Sequence, residues 1–471
     1  FNEKGAVAYS STGSSRLDYY SLVVRGATSN DIHNVLHKAW NENNLDTVKL
    51  IFHKRDCRGG DGEKQVFYDS MLWLWTFHQQ TFMKNLEHIP EYGSYKDWCE
   101  LVHQDKSLRF LIGKTFAEQL QKDMKEYSDN VTLCAKYAPS EKHKYDKNNF
   151  VNILAKYFSD SPTYKKEYRK ALTHLRNKIN IVEKQMCEQD WANINYSHVP
   201  SRALKRYSKA FEKHNPCGYK EWLDNVTNGK EKINAGQLHP HEIAQEYLSQ
   251  GFCYSPCSSS PNQLVEAQWK ELLKSLNALD FTKVLAMPDM SGSMSGTPMN
   301  VAATLGIATA KMAASQGGKF GNLVITFSER PSFIHLTQDT LHGCVQTLFK
   351  NNLSAGLSTN LYGALEIVLK KAMANNLPPD EFPEKLIIFT DMQFDAATRN
   401  EDMMQTLTTL FEKTPYSVPH IVCWNLRNVD NSAATSSTPG VSLVSGFSKD
   451  TFERILNNES FTPYDTMRLA I

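Results

Sequence analysis

Up to about residue 280 the apolar residues recur mainly at helical spacing, as in Met71-Leu72-Trp73-Leu74-Trp75-Thr76-Phe77 and Val151-Asn152-Ile153-Leu154-Ala155-Lys156-Tyr157-Phe158. A recurrence every three to four residues places them on one face of a helix. Turn-forming clusters punctuate these runs: Arg58-Gly59-Gly60-Asp61-Gly62, Pro90-Glu91-Tyr92-Gly93 and Asn215-Pro216-Cys217-Gly218. No exact internal repeat is visible, and stacked antiparallel helix pairs account for the pattern without one. Residues 1–263 are therefore expected to form an α-helical domain of the helical-repeat, HEAT-like kind. The serine- and proline-rich stretch 251–263 reads as a linker, and 264–279 as a helix leading into a second domain.

After residue 280 the pattern changes. Short apolar runs at 283–287, 322–327, 385–389, 420–424 and 441–444 alternate with helical stretches at 299–314, 361–371, 403–411 and 449–456. Uniformly apolar strands alternating with helices specify a mostly parallel sheet covered on both faces. Residues 264–471 are thus expected to be a doubly wound α/β domain, giving an α plus α/β chain. Such sheets bind ligands beyond the carboxyl ends of their strands.

Composition narrows the classes. Of 471 residues, 41% are hydrophobic and 22% charged, which excludes a fibrous or disordered chain. The net charge of +1 excludes a wholly basic nucleic-acid coat, yet residues 142–214 carry 16 Lys and Arg against 7 Asp and Glu. No run approaches the length of a membrane-spanning helix. Nine cysteines, scattered and odd in number, suit reduced thiols and a cytoplasmic setting, with the nucleus or a virion as alternatives. Cys253 and Cys257, with His239 and His241 upstream, could hold zinc, although the three-residue gap and Pro240 fit a zinc site poorly.

Three strand-end segments carry oxygen ligands: Asp289-Met290-Ser291-Gly292-Ser293, Ser358-Thr359-Asn360 and Thr390-Asp391. Carboxylates and hydroxyls together suit a hard cation such as Mg²⁺, which also keeps waters. With few carboxylates, the ion stays open to an acidic group from a partner. The combination resembles the metal-ion-dependent adhesion site of von Willebrand factor A domains. That resemblance implies Ser291, Ser293 and Thr359 as metal ligands, with Asp289 and Asp391 coordinating directly or through water. Met392 stands where many such domains have glycine.

Gly292-Ser293-Met294-Ser295-Gly296 also matches the G-x-S-x-G elbow of hydrolases, for which Asp391 and His420 could complete a triad around Ser295. That reading leaves Asp289, Ser291 and Thr359 without a role. Neither the 59–64 nor the 317–319 glycine run has phosphate-loop spacing, and no H-E-x-x-H occurs. A non-enzymatic protein is expected.

In the basic stretch, aromatics interleave with cations in Tyr164-Lys165-Lys166-Glu167-Tyr168-Arg169-Lys170 and Ser201-Arg202-Ala203-Leu204-Lys205-Arg206-Tyr207. Cations neutralise phosphates, and aromatic planes can stack unpaired bases. Lys165, Lys166, Arg169, Lys170, Arg202, Lys205 and Arg206 are the candidate RNA contacts. A helical region followed by an A-type domain resembles Ro autoantigen proteins, whose TROVE module is helical and which bind small noncoding and misfolded RNAs. The chain is also similar to an uncharacterised family of plant and large-virus proteins. That similarity rests on stretches including Trp191-Ala192-Asn193-Ile194-Asn195-Tyr196, Val199-Pro200-Ser201-Arg202, His239-Pro240-His241-Glu242-Ile243 and Trp424-Asn425-Leu426-Arg427. Together the resemblances imply a scaffold that binds structured RNA and docks an acidic protein partner through Mg²⁺. The alternative is a Mg²⁺-dependent protein-interaction or virion-associated module without RNA.

Overall fold

The computed structural model describes all residues except 1–7, 127–129, 180, 237, 249–259, 327–330, 353–359, 393–402, 429–430 and 458–461. It contains a helical amino-terminal part and a carboxyl-terminal mixed sheet, as the change of period at residue 280 suggests. Cys253 and Cys257 lie outside the described residues, and the seven described cysteines are free thiols. No described helix is long and apolar enough to cross a membrane.

Six strands form the sheet: β1 (Val284–Pro288), β2 (Leu323–Ile325), β3 (Phe333–His335), β4 (Lys385–Thr390), β5 (His420–Asn425) and β6 (Val441–Ser445), in the order β3-β2-β1-β4-β5-β6. All neighbours are parallel except β2 and β3. Every residue of β1, β2 and β6 is buried, the signature of strands covered on both faces. One cover includes the Thr297–Ser315 helix, which packs on β1 and buries thirteen residues around its circumference. Leu285, Met287, Ile388 and Cys423 alternate onto the other face and share a core with Leu365 and Val368 of the Leu361–Ala374 helix. The order reverses between β1 and β4, the switch point at which a doubly wound sheet opens a crevice. Strand β3 and the Leu341–Asn352 helix escape the sequence pattern. With three residues and one buried position, β3 is too short to show a period.

The chain divides into two compact units, and the division does not fall at 263/264. One unit joins residues 1–66, 200–206 and 221–471; the other comprises 67–199 and 207–220. The described residues of the 1–66 segment belong with the sheet because Tyr20, Ser21, Lys54 and Asp61 close the carboxyl ends of β5 and β6. Asn425 Nδ2 donates to the Ser21 carbonyl at 2.9 Å, and Ser445 Oγ to the Tyr20 carbonyl at 2.6 Å. Lys54, fully buried, spends its three protons on the Tyr20 carbonyl (2.7 Å), Asp61 Oδ2 (2.7 Å) and Ser445 Oγ (2.9 Å). The glycine run delivers Asp61 to this point. A Cβ at Gly60 would stand 2.0 Å from the His53 carbonyl, so only glycine lets the turn fold back on its own helix. Gly446, at φ +93°, likewise leaves room for the Asp61 backbone. Burial alone would raise the Asp61 pKa, but the Lys54 ammonium beside it outweighs this and holds the carboxyl well below its usual range. His53 Nε2 lies 3.3 Å from Asp61 Oδ1 without hydrogen-bond alignment, and burial keeps its ring neutral.

Two further histidines of this unit are half-buried. His239 and His241 stack with centroids 5.8 Å apart, and His241 meets Phe447 edge-on at 5.3 Å. Burial pushes His239 down to about 4 and His241 down to about 3. Arg25 and Lys205 add to the effect at His241, Arg25 and Arg202 at His239, and Glu242 opposes it at both. Both rings are therefore neutral when folded and protonate on unfolding below about pH 6.5, so stability falls as pH drops from 6.5 towards their folded values. Each contributes a loss approaching about 1.4 kcal/mol per pH unit in that window. His241→Phe is expected to lower proton uptake on unfolding near pH 5 by about one proton. The check is the pH slope of the urea-unfolding free energy; an unchanged slope refutes it.

Candidate metal centre and cationic helix

Asp289 follows β1 and Asp391 follows β4, so the register that pairs Pro288 with Phe389 sets the two carboxylates at adjacent strand ends beside the switch point. Both are buried, at 0% and 2% exposure. Asp289 Oδ1 accepts the Ser291 backbone N–H at 2.9 Å and Oδ2 the Thr390 hydroxyl at 3.0 Å, which fixes its plane. Ser291 Oγ and Ser293 Oγ are 3.0 Å apart. Burial pushes the Asp289 carboxyl up to about 6; the Asp391 charge adds to this, and hydrogen bonds from Ser291 and Thr390 oppose it. Two carboxylates held together away from water form an arrangement that a divalent cation relieves, and the nearby hydroxyls supply further hard oxygen ligands.

The competing role for the hydroxyls is helix capping. The short turn Gly292–Met294 receives no side-chain cap from Ser291, and the Thr297–Ser315 helix begins after Gly296 without one. Ser291 and Ser293 instead bond to each other. Thr359 lies outside the described residues, while the adjacent Asn360 caps the Leu361–Ala374 helix through Gly363 N at 2.8 Å. Met392 adopts φ +65°, the left-handed region where glycine is favoured. Its side chain, 4% exposed within the core shared with Ile388 and Leu407, and its N–H donation to Thr390 Oγ1 at 3.1 Å hold it there. A non-glycine residue is thus accommodated by packing at the position the sequence marks as a departure.

The hydrolase triad is not assembled. His420 opens β5 opposite Lys385, whereas Asp391 follows the far end of β4, about 20 Å away along the strands. His420 Nε2 is engaged by Ser442 Oγ at 2.8 Å.

The seven cationic candidates separate. Lys165, Lys166, Arg169 and Lys170 lie exposed on the Tyr164–Lys178 helix, which anchors itself through Tyr168, Ala171, Leu172 and Leu175. Arg202, Lys205 and Arg206 belong to the other compact unit. Arg202 pairs with Glu242 at 2.9 Å, and Lys205 Nζ donates to the Glu242 carbonyl; only Arg206 of the three is exposed. The interleaved aromatics pack rather than project. Tyr168 is buried and donates to the Pro139 carbonyl at 2.7 Å, and Tyr207 packs on Phe211. Arg176, a further cation of this helix, was legible only as a continuation of the 165, 169, 172 stripe two turns on.

Comparison with known proteins gives the chain its relatives. Residues 2–107 and 92–280 match the domain of unknown function DUF2828, and residues 283–468 the domain of unknown function DUF7788. The changeover between 280 and 283 coincides with the change of hydrophobic period. The chain is 33% identical over 503 residues to the uncharacterized protein L728 of Acanthamoeba polyphaga mimivirus, covering 98% of this chain and 85% of that protein. It therefore belongs to the DUF2828 family, with a DUF7788 domain in its carboxyl-terminal part.

Proposed function

We propose that the protein is a non-enzymatic scaffold that binds structured RNA through its helical part and docks an acidic protein partner through a Mg²⁺ ion on its sheet. The observation that carries this reading is the exposed cationic face of the Tyr164–Lys178 helix. Lys166 and Lys170 make no ion-pair contact there among the described residues, while Lys165 and Arg169 share the single carboxylate of Glu141. Unneutralised cations on an ordered helix favour phosphate, releasing counterions as they bind. The layout also supports a TROVE-like reading of the helical part and a von Willebrand factor A-like reading of the sheet. In the latter, Asp289, Ser291, Ser293, Thr359 and Asp391 hold Mg²⁺ and leave a position for a partner's carboxylate.

Arg202 and Lys205, tied to the Glu242 segment, are secondary to the exposed helix in this reading. The charge reversals Lys166→Glu and Lys170→Glu together are expected to weaken binding of a structured small RNA at least tenfold at low salt. They also flatten the dependence of log affinity on log salt by about two phosphate contacts. Unchanged affinity and slope would reject the assignment. A second reading is favoured by the paired carboxylates Asp289 and Asp391: a Mg²⁺-dependent protein-interaction module without RNA. Partner capture that ends on chelation, with no RNA bound under any condition, would select it.

A further inference from the structure

One cavity in the 67–199 and 207–220 unit has the chemistry of a phosphate site with an apolar wall. It measures about 310 Å³, at the lower end of small-ligand pockets. Lys165, Arg169, Leu172 and Arg176 line it from successive turns of one helix, and Glu141 is its one acidic wall residue. Arg169 Nη1 donates to Glu141 at 2.7 Å and Lys165 Nζ lies 3.7 Å from the same carboxylate. Arg176 is held differently. Its guanidinium donates to the Ala135 and Ala138 carbonyls, each at 2.9 Å, and more weakly to Ser140 Oγ at 3.3 Å. It pairs with no carboxylate among the described residues. Three cations face one anion, so the cavity retains two uncompensated positive charges. A half-buried guanidinium fixed by carbonyls keeps its charge and its geometry, which suits recognition of phosphate oxygens. The lining also has an apolar part, made of Val151 and Ala155 with Leu172 from between the cations, each at most 3% exposed.

We infer that this cavity binds a single nucleotide bearing a terminal phosphate, the phosphate displacing Glu141 from Arg169 and Lys165 and bridging to Arg176, with the base against Val151, Ala155 and Leu172. Glu141 then acts as the internal stand-in for the ligand's anion. That the nucleotide is the 5′ end of an RNA rests on the RNA-binding reading above; the cavity's preference for a phosphomonoester on an apolar body does not.

The test titrates the full chain with adenosine 5′-monophosphate, adenosine and inorganic phosphate by calorimetry. The monophosphate is expected to bind at least about tenfold more tightly than either fragment, since each supplies only one half of the contacts. Thr173 is an exposed cavity residue, so Thr173→Glu preserves the helix while adding a carboxylate; it is expected to weaken monophosphate binding at least about tenfold. Glu141→Gln removes the competing anion and is expected to strengthen it severalfold, an effect that a damaged fold cannot produce. Equal binding of adenosine and its monophosphate, or no response to either substitution, overturns the proposal. A matched pair of 5′-phosphorylated and 5′-hydroxyl oligoribonucleotides separates the sources. Monophosphate binding without RNA binding keeps the cavity and rejects the RNA reading. RNA binding that ignores Thr173→Glu and the 5′ phosphate, with a silent monophosphate, rejects the cavity alone.

Discussion

Asp61→Ala is expected to destabilise the protein by about 3–5 kcal/mol, because it leaves the Lys54 ammonium in the interior without a counter-charge. The loss exceeds that of an ordinary ion pair because Asp61 Oδ2 also lies 3.0 Å from the Ser445 Oγ to which Lys54 donates, and so joins the amino-terminal helices to the end of β6. Lys54→Met is expected to cost less if Asp61 is changed to Asn with it, since replacing both charges removes the buried imbalance. Urea-unfolding midpoints of Lys54→Met, Asp61→Asn and the variant that combines them give the coupling. Strict additivity would show that Lys54 and Asp61 do not depend on one another.

That lock was not legible in the sequence. Lys54 and Asp61 are seven residues apart, but Ser445 lies 391 positions beyond Lys54. A lone lysine in an amphipathic run reads as a solvated residue, and Arg58-Gly59-Gly60-Asp61-Gly62 as a turn. Nothing local says that the turn will be buried against a distant strand. The strand ends of β1 and β4 were legible for the opposite reason. Wholly apolar runs such as Leu386-Ile387-Ile388-Phe389 stop abruptly at Thr390-Asp391, and a parallel sheet sends such stops to one edge. The basic stretch was legible as charge but not as surface. Lys166 and Arg202 look alike in the sequence, yet one is exposed and the other is paired with Glu242, 40 residues on. Glu141 and Arg176 were passed over because their significance lies in what they face.

The second large effect concerns the sheet. Under the proposed function, Mg²⁺ at one hundred times its dissociation constant stabilises the protein by about 2.7 kcal/mol. Asp289→Asn is expected to abolish that response, because the neutral amide no longer offsets the cation's charge beside Asp391. The same variant is not expected to destabilise the metal-free protein greatly. An amide oxygen can still accept the Ser291 N–H, and the repulsion between the two carboxylates is removed. Thermal unfolding with Mg²⁺ and with a chelator, for the unmodified protein and the variant, reads both effects. A Mg²⁺-dependent rise that survives in Asp289→Asn would place the ion elsewhere.

The central claim is that the exposed helix of Lys165, Lys166, Arg169 and Lys170 makes this an RNA-binding scaffold. Its most direct measurement is a fluorescence-anisotropy titration of a structured small RNA with the full chain at several salt concentrations, with Mg²⁺ and with chelator. The proposal predicts saturable binding whose log affinity falls steeply and linearly with log salt, over several phosphate contacts. Binding no stronger than that of an unrelated neutral protein, with no salt slope, would contradict it.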